Sequence, residues 1–182
     1  MTMEYFDIID EQGNKTGEQR LRSDVHKYGF GHRAVHIFIW RIKDQQKQML
    51  LQKRAATKDS FPSCYDMSCA GHVSANDEYE ESAIRELQEE LGLFIDKTQF
   101  IPLFLYRIQY QKVFHNQLFI ENELNQVYAY ELKEDVHFQL QKEEVESVCW
   151  VNFNELESFM QNYPHCLIED EINQVLSWVN QL

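Results

Sequence analysis

The segment from Tyr79 to Leu91 has the pattern of an amphipathic helix, and it lies in the middle of a chain rich in strand-like segments. Its apolar residues Tyr79, Ala83, Leu87 and Leu91 recur every fourth position, which places them on one helical face. Gly92 follows directly and suits a helix C-cap, because glycine readily adopts the positive φ that commonly ends a helix. One helix between two groups of strands predicts a mixed α/β domain.

Strand-like segments occur on both sides of this helix. Alternating apolar residues and many β-branched and aromatic side chains predict strands within residues 34–40, 49–54, 65–67, 100–110, 113–120, 126–132 and 145–151. Residues 5–9 and 15–19 flank a turn-forming stretch at 10–14, which predicts an N-terminal hairpin.

Three further helices are expected outside the central one. Ser23 and Asp24 are expected to cap a short helix that ends at Gly29. Asn152 or Asn154 is expected to cap a helix that runs to residue 161, and residues 169–179 carry the spacing of a last amphipathic helix. We expect that last helix to pack against the core.

Size and charge limit the function classes. The 182 residues suit one domain, and 12 Phe, 9 Tyr and 3 Trp argue against general disorder. Lys and Arg number 17 against 30 for Asp and Glu, giving a net charge of −13. Such a charge repels phosphate backbones and anionic lipids, so we expect neither a nucleic-acid polymer nor a membrane as partner. A small polyphosphate remains compatible if cations are recruited locally.

The sequence carries no pattern of a secretory signal, and its longest apolar run, residues 101–106, is too short to span a membrane. Its four cysteines, Cys64, Cys69, Cys149 and Cys166, form no CxxC pair and are expected to be thiols in a reducing compartment. These features favour a cytoplasmic location.

Three carboxylates are concentrated on the central helix. Glu86, Glu89 and Glu90 are spaced i, i+3 and i+4, so they project from one face within about one turn. Like charges about 4 Å apart repel by ~1 kcal/mol in water, and by more where water is excluded. Either a solvated surface or a bound divalent cation relieves that repulsion, and oxygen ligands suit Mg²⁺ or Mn²⁺.

The register of the surrounding residues resembles the signature of the Nudix hydrolase family. All but one of the signature's specified positions match, and the exception is Asp77, where the family usually has Glu. Glu78 beside it is a candidate to compensate for the shorter side chain. The matching residues are Gly71, Arg85, Glu86, Leu87, Glu89, Glu90, Gly92 and Leu93.

This resemblance implies a fold and a domain plan. Nudix proteins form an α/β/α sandwich with a mixed central sheet, so residues 1–182 are expected to be a single Nudix domain. Its additions would be an N-terminal hairpin extension at about 1–30 and C-terminal helices at about 153–182.

The resemblance also implies an enzyme that cleaves a diphosphate linkage in a small molecule with the help of Mg²⁺. Glu86, Glu89 and Glu90 would bind the metal, joined by the carbonyl of Gly71, and Arg85 would hold the carboxylates in place. Glu86 or Glu89 would take the proton from the attacking water. The group attached to the diphosphate is not indicated, and a homodimer would fit the family.

A second resemblance, across most of residues 4–132, is to the Nudix branch that includes type I isopentenyl-diphosphate isomerase. It implies a metal site, for which His26 is displaced by one residue of spacing. It also implies that Arg54 and Lys58 hold the substrate diphosphate. The implied metal ligands are His32, His72, Glu121 and Glu123.

Each of these residues also has a structural interpretation. Glu121 and Glu123 lie two apart on a predicted strand and would share one face, which equally suits a solvated edge. His36 alternates with core residues and is expected to be packed, and Tyr106 and Tyr110 are expected in the core rather than in a pocket.

Ala70 argues against isomerisation. The isomerases use a cysteine directly before the Gly-His pair, whereas here Cys69 lies one residue earlier, where a strand would turn it to the other face. We therefore favour a hydrolase. An isomerase-like enzyme and a non-catalytic nucleotide-binding domain remain the alternatives.

Overall fold

The computed structural model describes residues 4–182, so residues 1–3 of the expected N-terminal extension lie outside the described part. The strands are β1 (Tyr5–Ile9), β2 (Lys15–Leu21), β3 (His32–Lys43), β4 (Gln46–Arg54), β5 (Tyr65–Asp66), β6 (Cys69–His72), β7 (Ile101–Phe114), β8 (Gln117–Glu131) and β9 (Val145–Asn152). The helices are α1 (Arg22–Tyr28), α2 (Tyr79–Leu91), α3 (Leu156–Asn162) and α4 (Glu169–Val179).

The sheets match the predicted fold class. Strands β1 and β2 form the expected antiparallel hairpin, and the other seven strands form one mixed sheet. Its main order is β5-β4-β3-β8-β7, with β6 also paired to β3 and β9 to β4. Strand β3 runs parallel to β8 and antiparallel to β4 and β6.

The sheet forks between β3 and β4. Their antiparallel pairing ends near Trp40 and Met49, beyond which β3 pairs with β6 and β4 pairs with β5. Ser68, between the two inserted strands, accepts the Ile39 N–H at 2.8 Å and donates to the Leu50 carbonyl at 2.6 Å. This fork brings the end of β6 beside α2.

Helices cover both faces of the sheet, which confirms the α/β/α sandwich. Alternate β3 residues face opposite ways, as the strand period requires. Val35, Ile37 and Ile39 pack with α2, whereas Phe38 and Trp40 pack with α3 and α4. The helix residues in these two cores are Ala83, Leu87 and Leu91 on one side, and Leu156, Ile172, Val175 and Val179 on the other.

The structure differs from the predicted elements at three places. The prediction of a separate strand at 113–120 was wrong. Strands β7 and β8 instead form one long hairpin that turns at His115 and Asn116, both with positive φ. The expected Ser23 cap was also wrong: α1 begins one residue earlier, where the Arg22 N–H bonds the Glu4 carbonyl. Residue Asn152 precedes a 3₁₀ turn, Phe153–Glu155, that leads into α3.

The helices between residues 4 and 182 include none with both the length and the apolar character that crossing a membrane requires.

Candidate active site

Residues at both ends of helix α2 cap it. The Glu78 N–H donates to the Glu81 carboxylate at 3.1 Å in a capping box, and Gly92 ends the helix with φ 68°. Glu78 also pairs with Arg33 at 3.2 Å, and the Asp77 carbonyl accepts a bond from the same arginine at 2.6 Å. Glu78 therefore caps the first turn of the helix and pairs with Arg33, and the backbone carbonyl of Asp77 binds the same arginine.

Glu86, Glu89 and Glu90 line one cavity of about 510 Å³. Glu90 is buried, the Glu86 side chain is 13% exposed and the Glu89 side chain is 53% exposed, so they run from the interior to the mouth. Burial raises the pKa of Glu86 to about 8, with repulsion from Glu90 and Glu89 adding to it and Arg85 opposing it. Burial also raises the pKa of Glu90 to about 7, against the attraction of Lys58.

Arg85 and Gly71 fix the position of the Glu86 carboxylate. The Arg85 guanidinium lies 2.7 Å from Glu86 and 3.4 Å from Glu89, and it donates to the His72 carbonyl at 3.1 Å. A Cβ on Gly71 would lie only 2.2 Å from Glu86 Cδ. A side chain at residue 71 is therefore incompatible with this carboxylate position.

A second cluster of ligand-type side chains converges from four elements. His32 lies opposite Glu123 in the parallel β3–β8 ladder, and its Nε2 is 3.6 Å from Glu123 and 3.5 Å from Glu121. His72 Nε2 is 3.1 Å from Glu123, and His26 Nδ1 of α1 is 3.5 Å from Glu121. The structure therefore brings His26 into the group despite its displaced sequence position.

The electrostatics of this second cluster suit metal ligands. Burial lowers the pKa of His26 and His72 to about 3, so both rings are neutral at pH 7. Both nitrogens of His26 and the Nε2 atoms of His32 and His72 are buried, and apart from their contacts with Glu121 and Glu123 they find no hydrogen-bond partner within residues 4–182. Burial and repulsion from Glu123 raise the pKa of Glu121 to about 9. Glu123 and Glu121 outweigh burial and raise the pKa of His32, so this ring would have to release a proton to bind a cation, whereas the neutral His26 and His72 rings are ready donors for one.

Arg54 and Lys58 line the same cavity, each paired with an acidic residue. Arg54 lies 2.9 Å from Asp66 and donates twice to the Ser60 carbonyl, and Lys58 pairs with Glu144. The expected phosphate-binding residues thus line one cavity with the expected metal ligands, except His32, which is fully buried beside it.

Some cavity residues were missed or misassigned from the sequence. Tyr110 lines the cavity, contrary to its expected core position, whereas Tyr106 is partly buried and packs against the core. His36 is buried as expected but also lines the cavity and pairs with Glu171 at 2.7 Å. Glu144, which pairs with Lys58, also lines the cavity, and its polar surroundings in the sequence give no signal of a site.

Cys69 and Ala70 lie on opposite faces of β6, as their sequence positions predict. Cys69 is fully buried in the core beneath α2, where burial and the nearby Glu90 carboxylate hold the pKa of its thiol well above the usual range. Ala70 lines the cavity.

The NUDIX domain family model matches residues 32–170, more than half of the chain. The chain belongs to the NUDIX family. Gly71, α2 and the second cluster all lie within this NUDIX segment, except His26 of α1, which precedes it.

Relatives of this NUDIX chain include proteins named as hydrolases and as isomerases. It is 39% identical over 176 residues to "Nudix hydrolase 3" of Arabidopsis thaliana, a match that covers 95% of this chain and 22% of that protein. It is 32% identical to "Isopentenyl-diphosphate Delta-isomerase 2" of Photorhabdus laumondii, covering 86% of this chain and 84% of that protein. The chain therefore spans about a fifth of the Arabidopsis relative but most of the other.

A solved structure shows the same fold. The crystal structure of DR0079 from Deinococcus radiodurans has a TM-score of 0.68 and 24% identity, and the match covers 89% of this chain and 92% of that one. The prediction of a Nudix fold is thereby confirmed, and the NUDIX family model confirms the predicted family.

Proposed function

We propose that this protein is a divalent-metal-dependent Nudix hydrolase that cleaves a diphosphate linkage in a small molecule, such as a nucleoside diphosphate derivative. The observation that carries the proposal is the position of Glu86, Glu89 and Glu90. All three line one cavity, with Arg85 bridging two of them and Gly71 against Glu86. A solvated acidic surface would not bury two of these carboxylates.

The residues present fit a metal. The raised pKa values of Glu86 and Glu90 show that their ionised forms lack sufficient positive partners, and a divalent cation supplies that charge. We propose Mg²⁺, with Mn²⁺ also suitable, bound by Glu86, Glu89, Glu90 and the carbonyl of Gly71. When bound, such a cation neutralises phosphate charge and lowers the pKa of a coordinated water.

A second metal site is proposed at the imidazole–carboxylate cluster. His32, His72, Glu121 and Glu123, joined by His26, offer ligand atoms close enough to share an ion: those of the three histidines lie within 4.8 Å of one another, as do those of His32 and the two glutamates.

The protein's own groups would then act as follows. Glu86 or Glu89 takes the proton of the attacking water, and Arg85 holds both carboxylates in position. Arg54 and Lys58 bind the phosphate oxygens, exchanging part of their contacts with Asp66 and Glu144 for the substrate. The net charge of −13 supports a small-molecule substrate rather than a polymer.

The test is hydrolysis of a panel of nucleoside diphosphates, nucleotide sugars, dinucleotides and prenyl diphosphates with Mg²⁺. Glu89→Gln and Glu90→Gln each should lower kcat/KM by more than about tenfold, because removing one charged ligand weakens metal binding. Glu80→Gln, an exposed position of the same helix, is the matched control. Activity of both variants within tenfold of wild type would overturn the proposal.

Isomerisation is the second candidate, and the imidazole–carboxylate cluster favours it. The relative named as an isopentenyl-diphosphate isomerase supports it too, whereas Ala70 and the buried Cys69 oppose it. Incubating isopentenyl diphosphate with the enzyme in deuterated water distinguishes isomerisation from hydrolysis. Deuterium at the alkene carbons that depends on Glu123 would support isomerisation, and phosphate release without exchange would exclude it.

A further inference from the structure

His36 and Glu171 form a buried ion pair in the wall of the cavity. His36 of β3 lines the cavity and is 6% exposed, whereas Glu171, in the first turn of α4, is fully buried behind it. Their Nδ1 and Oε1 atoms are 2.7 Å apart. This ion pair therefore links α4 to a residue of the cavity wall.

Packing alone does not explain this pair. Glu171 sits beside the buried apolar residues Ile172 and Val175, and its second oxygen finds no partner within the described residues. Replacing a buried ion pair by apolar residues of similar volume is often neutral or stabilising. The position of the pair in the wall of the cavity therefore points to a functional role beyond packing.

Glu171 sets both the charge and the orientation of the His36 ring. Its attraction outweighs burial and raises the pKa of His36 to about 9, with Glu123 of β8 and Asp66 of β5 adding to the effect. The ring is therefore an imidazolium at pH 7, with the Nδ1–H bonded to Glu171. The Nε2–H is the donor that remains for the cavity.

His36 differs from the other cations of the cavity in the location of its counterion. Each of the other four cations pairs with a carboxylate that itself lines the cavity. The pairs are Arg22 with Glu4, Arg54 with Asp66, Lys58 with Glu144 and Arg85 with Glu86. Because Glu171 lies behind the wall, His36 presents its donor to the cavity with its partner on the far side.

We propose that the Nε2–H of His36 binds an anionic oxygen of the substrate diphosphate, and that Glu171 is the positioning residue for this contact. The inference rests on the proposed diphosphate substrate and adds a binding residue and its support, contributed by β3 and α4.

The first experiment measures binding of methylenediphosphonate, which cannot be hydrolysed, by calorimetry at pH 7 with Mg²⁺. His36→Gln should weaken binding about 10- to 100-fold, as expected for a lost bond to a charged group. In turnover assays KM should rise with kcat nearly unchanged. Asp170→Asn, an exposed neighbour of Glu171 on α4, is the control and should bind within twofold of wild type. Binding by His36→Gln within twofold of wild type would overturn the inference.

The second experiment tests Glu171 by pH. In wild type, His36 keeps its proton until the pH approaches 9, so binding should change little through this group between pH 6 and 8. In Glu171→Gln the pKa of His36 falls, because burial then dominates, and binding should weaken over that range relative to wild type. Parallel pH profiles would contradict the positioning role.

A measurement on wild type covers the case in which the variants do not fold. The ¹⁵N shifts of the His36 ring should show a protonated imidazole at pH 7, and Nε2 should shift when methylenediphosphonate is added. An unshifted Nε2 would overturn the inference. If Glu90→Gln leaves hydrolysis intact while diphosphonate binding still depends on His36, the proposed hydrolase mechanism fails and this contact stands.

Discussion

Single residues at this site are constrained by how closely they approach one another. Gly71 is needed because the Glu86 carboxylate occupies the space of its missing side chain, and not because of an unusual φ. Glu86 and Glu90 are acidic groups held where burial opposes their ionisation. At the residue scale, the site contains carboxylates whose negative charge the neighbouring cationic side chains do not fully neutralise.

Gly71→Ala should therefore displace Glu86 while leaving the backbone path of β6 possible. We expect a destabilisation of about 1–3 kcal/mol from overcrowding and a loss of kcat of more than about tenfold. Stability from urea unfolding and kcat would be measured on the same samples.

The matched control is Gly17→Ala in β2. Gly17 has φ 87° and nothing within 4 Å of its added Cβ, so the substitution strains the backbone but crowds no side chain. It should cost stability without lowering kcat, and unchanged kcat in Gly71→Ala would remove Glu86 from the mechanism.

The fork between β3 and β4 determines where the strands place the site residues. Because β6 is inserted into this fork, Gly71 lies against Glu86 of α2 and His72 lies 3.1 Å from Glu123 of β8. The parallel β3–β8 pairing then sets His32 opposite Glu123. The single side chain of Ser68 bridges backbone groups of both separated strands.

Ser68→Ala should destabilise the protein by roughly 1–3 kcal/mol, because it leaves the buried Ile39 N–H and Leu50 carbonyl without their present partner. Urea unfolding gives this free energy of unfolding directly. Ser177→Ala, at an exposed position of α4, should change it by less than about 0.5 kcal/mol. Equal effects of the two substitutions would mean that the bridge does not hold the fork.

At the scale of the whole molecule, a chain with a net charge of −13 concentrates carboxylates around one cavity. The pKa of Glu86 is raised from 4.5 to about 8, so its contribution to stability is full below pH 4.5 and is lost as the pH rises through 8. The raised pKa of His36, about 9, acts in the same direction above pH 6.5.

The Tm of the metal-free protein should therefore fall between pH 7 and 9. Mg²⁺ should raise Tm by more at pH 9 than at pH 7, because metal binding needs the ionised carboxylates. Thermal unfolding with EDTA or with Mg²⁺ measures both effects. Glu86→Gln should reduce the pH dependence, and a Mg²⁺ shift independent of pH would contradict the proposed ligands.

The sequence alone determined the local elements and the family. The four-residue period, the capping glycine and the carboxylate spacing defined α2, since all these signals lie within one helix. The hairpin at His115 and Asn116 escaped prediction because β alternation continues on both sides of it.

Tertiary structure alone decided which distant residues meet in and around the cavity. His26 joins the imidazole–carboxylate cluster only through the packing of α1 beside β8, and Glu171 reaches His36 across 135 positions of sequence. Sequence periodicity reports which face of an element is apolar. It does not report which polar residues of separate elements meet, because that depends on strand order and on how the helices dock on the sheet.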